Sequence, residues 1–149
     1  MELDESIAVF GSMELFEDFD DEQLRLLAFV SETRDLEPGD VIYAAGDAPN
    51  GAYLLVSGSL EARHDERPSA IYRISPPALV GEMGLVLTRP RATTIVVRTR
   101  ARVLFVPREP FMKLLRSDPE LAASVADKIR AELARYLGAI EQLKSRFTH

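Results

Sequence analysis

The segment Leu79-Val80-Gly81-Glu82-Met83-Gly84-Leu85 is followed, five residues on, by Pro90-Arg91-Ala92-Thr93-Thr94. Two glycines bracket an acid, a short apolar turn follows, and a Pro-Arg-small-Thr cluster closes the stretch. Nowhere else does the chain combine an acid, a buried-looking arginine and bare backbone within sixteen residues. Gly81 and Gly84 let backbone approach a ligand closely, because no Cβ intervenes. If Glu82-Met83-Gly84-Leu85 begins a short helical turn, its free N–H groups form a seat for phosphate. Arg91 supplies a fixed cationic fork suited to phosphate oxygens. Glu82 repels phosphate, so its expected partner is a donor such as a sugar hydroxyl. A cyclic sugar-phosphate meets all three demands. An ion pair between Glu82 and Arg91 that merely braces the loop is the alternative.

Upstream of this stretch the pattern is that of short strands. Thr33-Arg34-Asp35-Leu36 runs into a turn at Glu37-Pro38-Gly39-Asp40, and Val41-Ile42-Tyr43 precedes another at Ala45 to Gly51. Ala52 to Val56 reads as a buried strand, Ser57-Gly58-Ser59 as a tight turn and Leu60 to Arg63 as an alternating strand. Arg63 to Pro68 forms a charged hairpin tip, and Ala70 to Ile74 pairs back. Downstream, Thr94 to Val97 and Ala101 to Val106 add two further β runs. Short runs separated by Gly, Pro and Asp turns predict an antiparallel sandwich or barrel.

Helices are expected at both ends. Ile7, Phe10, Leu15 and Phe16 suggest a helical turn or two broken at Gly11-Ser12. Asp20 and Gln23 have capping-box spacing ahead of Leu24, Leu27 and Phe29-Val30. After the sheet, Phe111 to Leu115 reads as a short helix, and Asp118-Pro119 is a good start for a long one. In that last helix Ala122, Ala126, Ile129, Leu133, Tyr136, Ile140, Leu143 and Phe147 are spaced 4, 3, 4, 3, 4, 3, 4. An unbroken heptad seam predicts a parallel homodimer, with packing on the chain's own barrel as the alternative.

Composition narrows the function classes. At 149 residues, 46% hydrophobic and 28% charged, the chain reads as one soluble domain with a real core. A net charge of −6 argues against nucleic acid as the main partner. No apolar run is long enough to span a bilayer, and the acidic N-terminus resembles no secretory or transit signal. A cytoplasmic location is expected. There is no cysteine, and His64 and His149 are the only histidines, so neither a thiolate or His-rich metal site nor a His-based catalytic set is expected. The chain is not expected to be an enzyme, and it has no catalytic or metal residues to name.

At the glycine-bracketed stretch the sequence resembles the phosphate-binding cassette of cyclic-nucleotide-binding domains, as found in catabolite activator proteins and protein kinase A regulatory subunits. Gly81-Glu82-Met83-Gly84-Leu85 is similar to the family's Gly-Glu-Leu-Gly/Ala-Leu, and Pro90-Arg91-Ala92-Thr93-Thr94 to its Pro-Arg-Ala-Ala-Thr form, with matching spacing from Glu82 to Arg91. Thr93 departs from the kinase form, which has alanine there. The resemblance implies a mainly β fold, an antiparallel eight-stranded jelly-roll barrel with flanking helices. Residues 1–32 would form an N-terminal helical part, 33–106 the barrel with its cassette at 79–94, and 107–149 the C-terminal helices. Gly39, Gly46 and Gly58 would be structural turn glycines.

The resemblance also implies site roles. Glu82 would accept from the ribose 2′-hydroxyl and Arg91 would pair with the cyclic phosphate. Gly81, Met83, Gly84, Ala92 and Thr93 would complete the cradle. Ile71 and Ala62 would lie on strands that pack the base. Ala92 favours cAMP over cGMP, since cGMP-selective kinase domains tend to place threonine there. Tyr136, with Leu137 beside it, falls where the activator family caps the base, so it is the candidate to stack on the purine, unless as a seam residue it faces a dimer mate. The sequence given stops at His149 without the helix-turn-helix segment of the activator family, so DNA is not expected as a partner. The expectation is a cAMP sensor that signals by moving its last helix toward a dimer mate or an unidentified partner protein. Its alternatives are a degenerate, ligand-free interaction module and a pocket for another anion such as a cyclic dinucleotide.

Overall fold

Two 14-residue strands, Gly51–His64 (β3) and Thr94–Pro107 (β6), form the spine to which every other strand attaches. The computed structural model describes the backbone of residues 1–64 and 67–147, and their side chains except at 67–70, 136–137 and 139–147. In chain order, helix α1 (Leu3–Gly11), a 3-10 turn (Glu14–Phe16) and helix α2 (Asp21–Val30) precede the sheet. Strands β1 (Glu32–Leu36) and β2 (Val41–Tyr43) pair with β6, while β4 (Arg67–Ile74) and β5 (Ala78–Val80) pair with β3, all antiparallel. A second 3-10 turn (Glu82–Leu85) follows β5, and helices α3 (Arg108–Arg116) and α4 (Pro119–Phe147) follow β6. The result is the expected jelly roll with helices at both ends.

Each long strand replaces two of the eight expected. Ser57-Gly58-Ser59 is not a tight turn but an irregular stretch inside β3, where the register against β6 shifts repeatedly. Gly58 has φ +86°, and a Cβ there would meet the Arg100 carbonyl at 2.2 Å, so only glycine permits this crossing. The shifts bend and twist the strand pair, which rolls the sheet without ending the ladder. Sequence shows a glycine between apolar runs, and a bulge and a turn look alike there.

Alternation along the spine builds two cores. Ala52 and Leu54 of β3, with Leu104 and Val106 of β6, face the helices. Tyr53 and Leu55, with Val103 and Phe105, face the barrel interior. Both faces are buried, which is why Ala52 to Val56 has no polar alternation. On the helical side Phe16 meets Phe10, Phe19 and Phe111 edge-on, with ring centroids 5.2–6.2 Å apart. The Asp20–Gln23 capping box starts α2 with reciprocal bonds of 2.8 and 2.9 Å. The Gln23 amide then donates to Asp118 at 2.8 Å, and Asp118 also caps α4 through the Leu121 N–H at 3.1 Å. Lys128 reaches Asp18 and Glu17 at 3.0 and 3.2 Å. The first half of α4 is thereby fastened to the N-terminal layer. Phe29, read as part of the α2 core face, is 78% exposed instead.

The seam reading of α4 needs correction in its first half. The buried positions are Leu121, Val125 and Ile129, one stripe at i, i+4 and i+8 against the chain's own helices and sheet. The heptad pairs Ile129 with the small Ala122 and Ala126, but the larger Leu121 and Val125 bury more area and set the docked face. Leu133 faces the cassette. The side chains of Tyr136, Ile140, Leu143 and Phe147 lie outside the described residues.

Candidate functional site

Arg91 stands at the centre of the cassette and is only 8% exposed. Its backbone is clamped to the loop after β2, with the Gly46 N–H donating to the Arg91 carbonyl and the Arg91 N–H donating to the Asp47 carbonyl, both at 2.8 Å. The guanidinium turns inward. Nη1 donates to the Gly81 carbonyl at 3.0 Å, Nη2 to the Gly51 carbonyl at 2.7 Å, and the Tyr43 ring lies 4.1 Å beneath Cζ. Nε is buried with no protein partner. Among the described residues no carboxylate pairs with this cation, and the loop-bracing Glu82–Arg91 ion pair is not formed. Burial lowers the pKa of Arg91 from its usual value, yet a guanidinium keeps its charge in proteins. A buried, uncompensated cation with a free N–H is a seat for an anion.

The bare backbone of the cassette turns out to serve the arginine. Gly81 has φ +72°, and a Cβ on it would come within 2.5 Å of Nη1; one on Gly84 would come within 2.6 Å. The two glycines make room for the guanidinium to lie against the Glu82–Leu85 turn. That turn matches the expected helical start, with Gly84 N–H donating to the Gly81 carbonyl at 2.9 Å. The N–H groups of Glu82 and Met83 precede its first bond. Arg108, at the start of α3, donates to the Leu87 carbonyl at 2.7 Å and so ties the end of the turn to the helix.

In front of Arg91 lies a cavity of about 210 Å³. Every cassette residue singled out from sequence, Gly81, Glu82, Met83, Gly84, Arg91, Ala92 and Thr93, lines it. Tyr43, Leu87, Arg89, Pro90 and Leu133 line it too, and sequence reasoning missed them as site residues. Tyr43 had only its place before the Gly46 turn as a signal, and Leu133 was absorbed into the seam. The two base-packing candidates separate. Ala62 packs with the barrel-interior core beside Ile95 and Tyr43. Ile71 pairs with Arg63, whose neighbour Ala62 points the other way, so Ile71 is on the outer face and 49% exposed. Neither lines the cavity. Tyr136 lies outside the described side chains.

Among the described residues Glu82 forms no ion pair. It also walls a small space beneath α4 together with Glu14, Glu132 and Arg135. Burial foremost, then the charge and hydrogen bond of Glu132, push its pKa up to about 7. Burial also raises the Tyr43 hydroxyl above its ordinary value. Among the described residues no cluster of His, Cys, Asp and Glu has the arrangement to hold a metal, and no helix is long and apolar enough to cross a membrane.

Comparison with known proteins agrees with this geometry. The family description "Cyclic nucleotide-binding domain" matches residues 33–118. The HTH-type transcriptional regulator Cmr of Mycobacterium tuberculosis is 29% identical over 120 residues, 76% of this chain and 49% of that protein. A cAMP-dependent protein kinase regulatory subunit of Colletotrichum orbiculare is 32% identical over 89 residues, 60% of this chain and 23% of that one. The chain thus spans between about a quarter and a half of the length of these curated relatives. Among solved structures, a cyclic nucleotide-binding-like protein from Brucella abortus is 34% identical, superposes with a TM-score of 0.69 and is matched over 75% of this chain and 98% of its own. With more than half of the sequence inside the family match and that structure covered nearly end to end, the chain belongs to the cyclic nucleotide-binding domain family.

Proposed function

We propose that this chain is a cAMP sensor. The observation that carries the reading is Arg91, which lines a cavity while buried, has no acidic partner and keeps a buried Nε without a protein partner. Burying a charge without compensation is costly, and a cyclic phosphate supplies the missing negative charge. Glu82, which lines the same cavity, would accept from the ribose 2′-hydroxyl. Ala92 stands where cGMP-selective kinase domains tend to place threonine, and that resemblance favours adenine over guanine. Leu133 brings α4 to the cavity, so a ligand that contacts it biases how α4 docks. The response would reach a dimer mate through the outer half of α4, where the heptad continues, or a partner protein. Neither catalysis, nucleic acid nor membrane enters this reading, and the cytoplasm is the setting it fits.

Two observations favour rivals. The Nη groups of Arg91 rest on carbonyls and Glu82 walls the space beneath α4, an arrangement that also suits a ligand-free interaction module. Arg89 adds a second cation to the cavity wall, which suits a ligand with two phosphates such as a cyclic dinucleotide. Calorimetric titration of cAMP, cGMP and a cyclic dinucleotide into nucleotide-free protein separates them. Saturable binding with cAMP tightest is expected; silence from all three supports the interaction module.

A further inference from the structure

Glu82 lines two cavities. One is the ligand cavity in front of Arg91; the other, of about 40 Å³, lies beneath α4 and is walled by Glu14, Leu15, Lys128, Ile129, Glu132 and Arg135. A side chain in the partition between two spaces has two places to go. In this structure Glu82 and Glu132 wall the same small space beneath α4.

The charged groups around it decide what such a meeting requires. From α4, Arg135 donates to Glu132 at 3.0 Å, and Lys128 is engaged by Glu17 and Asp18. From the first 3-10 turn, Glu14 adds a further negative charge. From the ligand side, Arg91 directs its Nη groups to carbonyls, Tyr43 is a neutral phenol, and Arg89 lines the ligand cavity but not the space beneath α4. Arg135 is thereby committed to Glu132, while Glu82 has no cation committed to it. Two carboxyl groups that face one small cavity do not ionise independently; one proton between them turns repulsion into a bond.

We propose that Glu82 and Glu132 share one proton in the empty protein, fastening α4 to the cassette, and that a ribose hydroxyl must take Glu82 from Glu132 for the ligand to seat. The second half of the proposal rests on the cyclic-nucleotide reading; the first does not. Glu132 is then a positioning residue that sets ligand affinity without touching ligand. The proton balance is explicit. Protonated Glu82 donates to Glu132 in the empty state; in the bound state ionised Glu82 accepts from the ribose hydroxyl, and the shared proton leaves to solvent. The raised pKa of Glu82, with burial and Glu132 as its leading causes, agrees with this arrangement.

The test begins without nucleotide. Carboxyl carbon NMR of the wild type, with Glu82→Gln to assign the resonance, follows the titration of Glu82. A midpoint near 7 is expected, falling by at least about one pH unit in Glu132→Gln, whose amide donates to ionised Glu82 with no shared proton, and in Glu132→Ala. A wild-type midpoint in the ordinary carboxylate range, or one unmoved in both folded variants, overturns the shared proton. Calorimetry of cAMP in two buffers of different ionisation enthalpy then counts protons. Release approaching one proton per ligand at pH 6, with affinity rising up to about tenfold per pH unit below 7 and flat in Glu132→Gln, is expected. Tight cAMP binding without proton release overturns the competition. If no nucleotide binds, the ligand reading fails, and the titration of the empty protein still decides the proton.

Discussion

Replacing Arg91 by alanine should damage both stability and binding, and the structure lets the two be separated. The guanidinium makes two charge-assisted hydrogen bonds, to Gly81 and Gly51, and stacks on Tyr43. Bonds of that kind are worth about 1.5–3 kcal/mol each, and a partly desolvated cation–π contact about 1 kcal/mol. Water entering the emptied space would re-satisfy the two carbonyls, so a net loss of about 3 kcal/mol is the central expectation. In a chain of this size that lowers Tm by roughly 6–12 °C and leaves the protein folded at 25 °C. For cAMP, losing a charged contact of about 1.5–3 kcal/mol weakens affinity on the order of a hundredfold at the upper end. Arg91→Lys keeps the charge but not the fork, so it should restore part of the affinity and little of the Tm. Melting curves and calorimetric titration of the wild type and both variants read these outcomes. Arg91→Ala that melts with the wild type and binds within about threefold of it would refute the reasoning, since Arg91 would then be neither brace nor anion seat.

Other consequences are simpler to check. Burial pushes the pKa of Glu82 from the ordinary 4.5 up to about 7 in the folded chain, which therefore holds a proton that the unfolded chain releases. Stability should therefore fall as pH rises from about 4.5 to 7, by up to about 3 kcal/mol, and level off above; urea titrations across that range should show the slope shrinking in Glu132→Gln. Below about pH 4 the trend reverses, because Asp18 and Asp118, held low chiefly by hydrogen bonds from Ser124 and from the Leu121 N–H, become protonated. Arg108→Ala frees the Leu87 carbonyl from α3 and should cost about 1–3 kcal/mol, with faster hydrogen exchange at Val86 and Leu87 as its local mark. Phe16→Ala empties the centre of the aromatic cluster and should cost about 3–5 kcal/mol by urea denaturation.

The elements that sequence reading recovered are those with a local cause. The Asp20–Gln23 box and the Asp118 cap lie within one helical turn, and their bonds form as expected. The Gly81 to Thr93 cassette is legible because its residues line one cavity while lying close in sequence. What escaped depends on contacts between distant segments. Gly58 reads as a turn until Arg100, 42 positions later, is seen to need its missing Cβ. The cassette glycines were read as room for a ligand, and only the path of Arg91 shows what they first accommodate. Tyr43 and Leu133 join the cavity from β2 and α4, which no spacing rule connects. The heptad of α4 is present in the letters, but which stripe docks is decided by the volumes of Leu121 and Val125 against the helical layer. Glu82 carries a resemblance-based role toward ribose, whereas its neighbour Glu132 lies 50 positions away and left no signal at all.

The central claim is that the Arg91 cradle is an anion seat awaiting a cyclic phosphate, and its free Nε–H reports on this directly. Nitrogen–proton correlation spectra of the arginine Nε groups, assigned with Arg91→Lys, should be recorded during addition of cAMP to the nucleotide-free protein. The account predicts a saturable downfield movement of the Arg91 Nε–H as phosphate oxygen becomes its partner, while the signals of Arg34 and Arg102, which do not line the cavity, stay still. Saturable cAMP binding by calorimetry with the Arg91 signal unmoved would contradict it, and so would the absence of any binding.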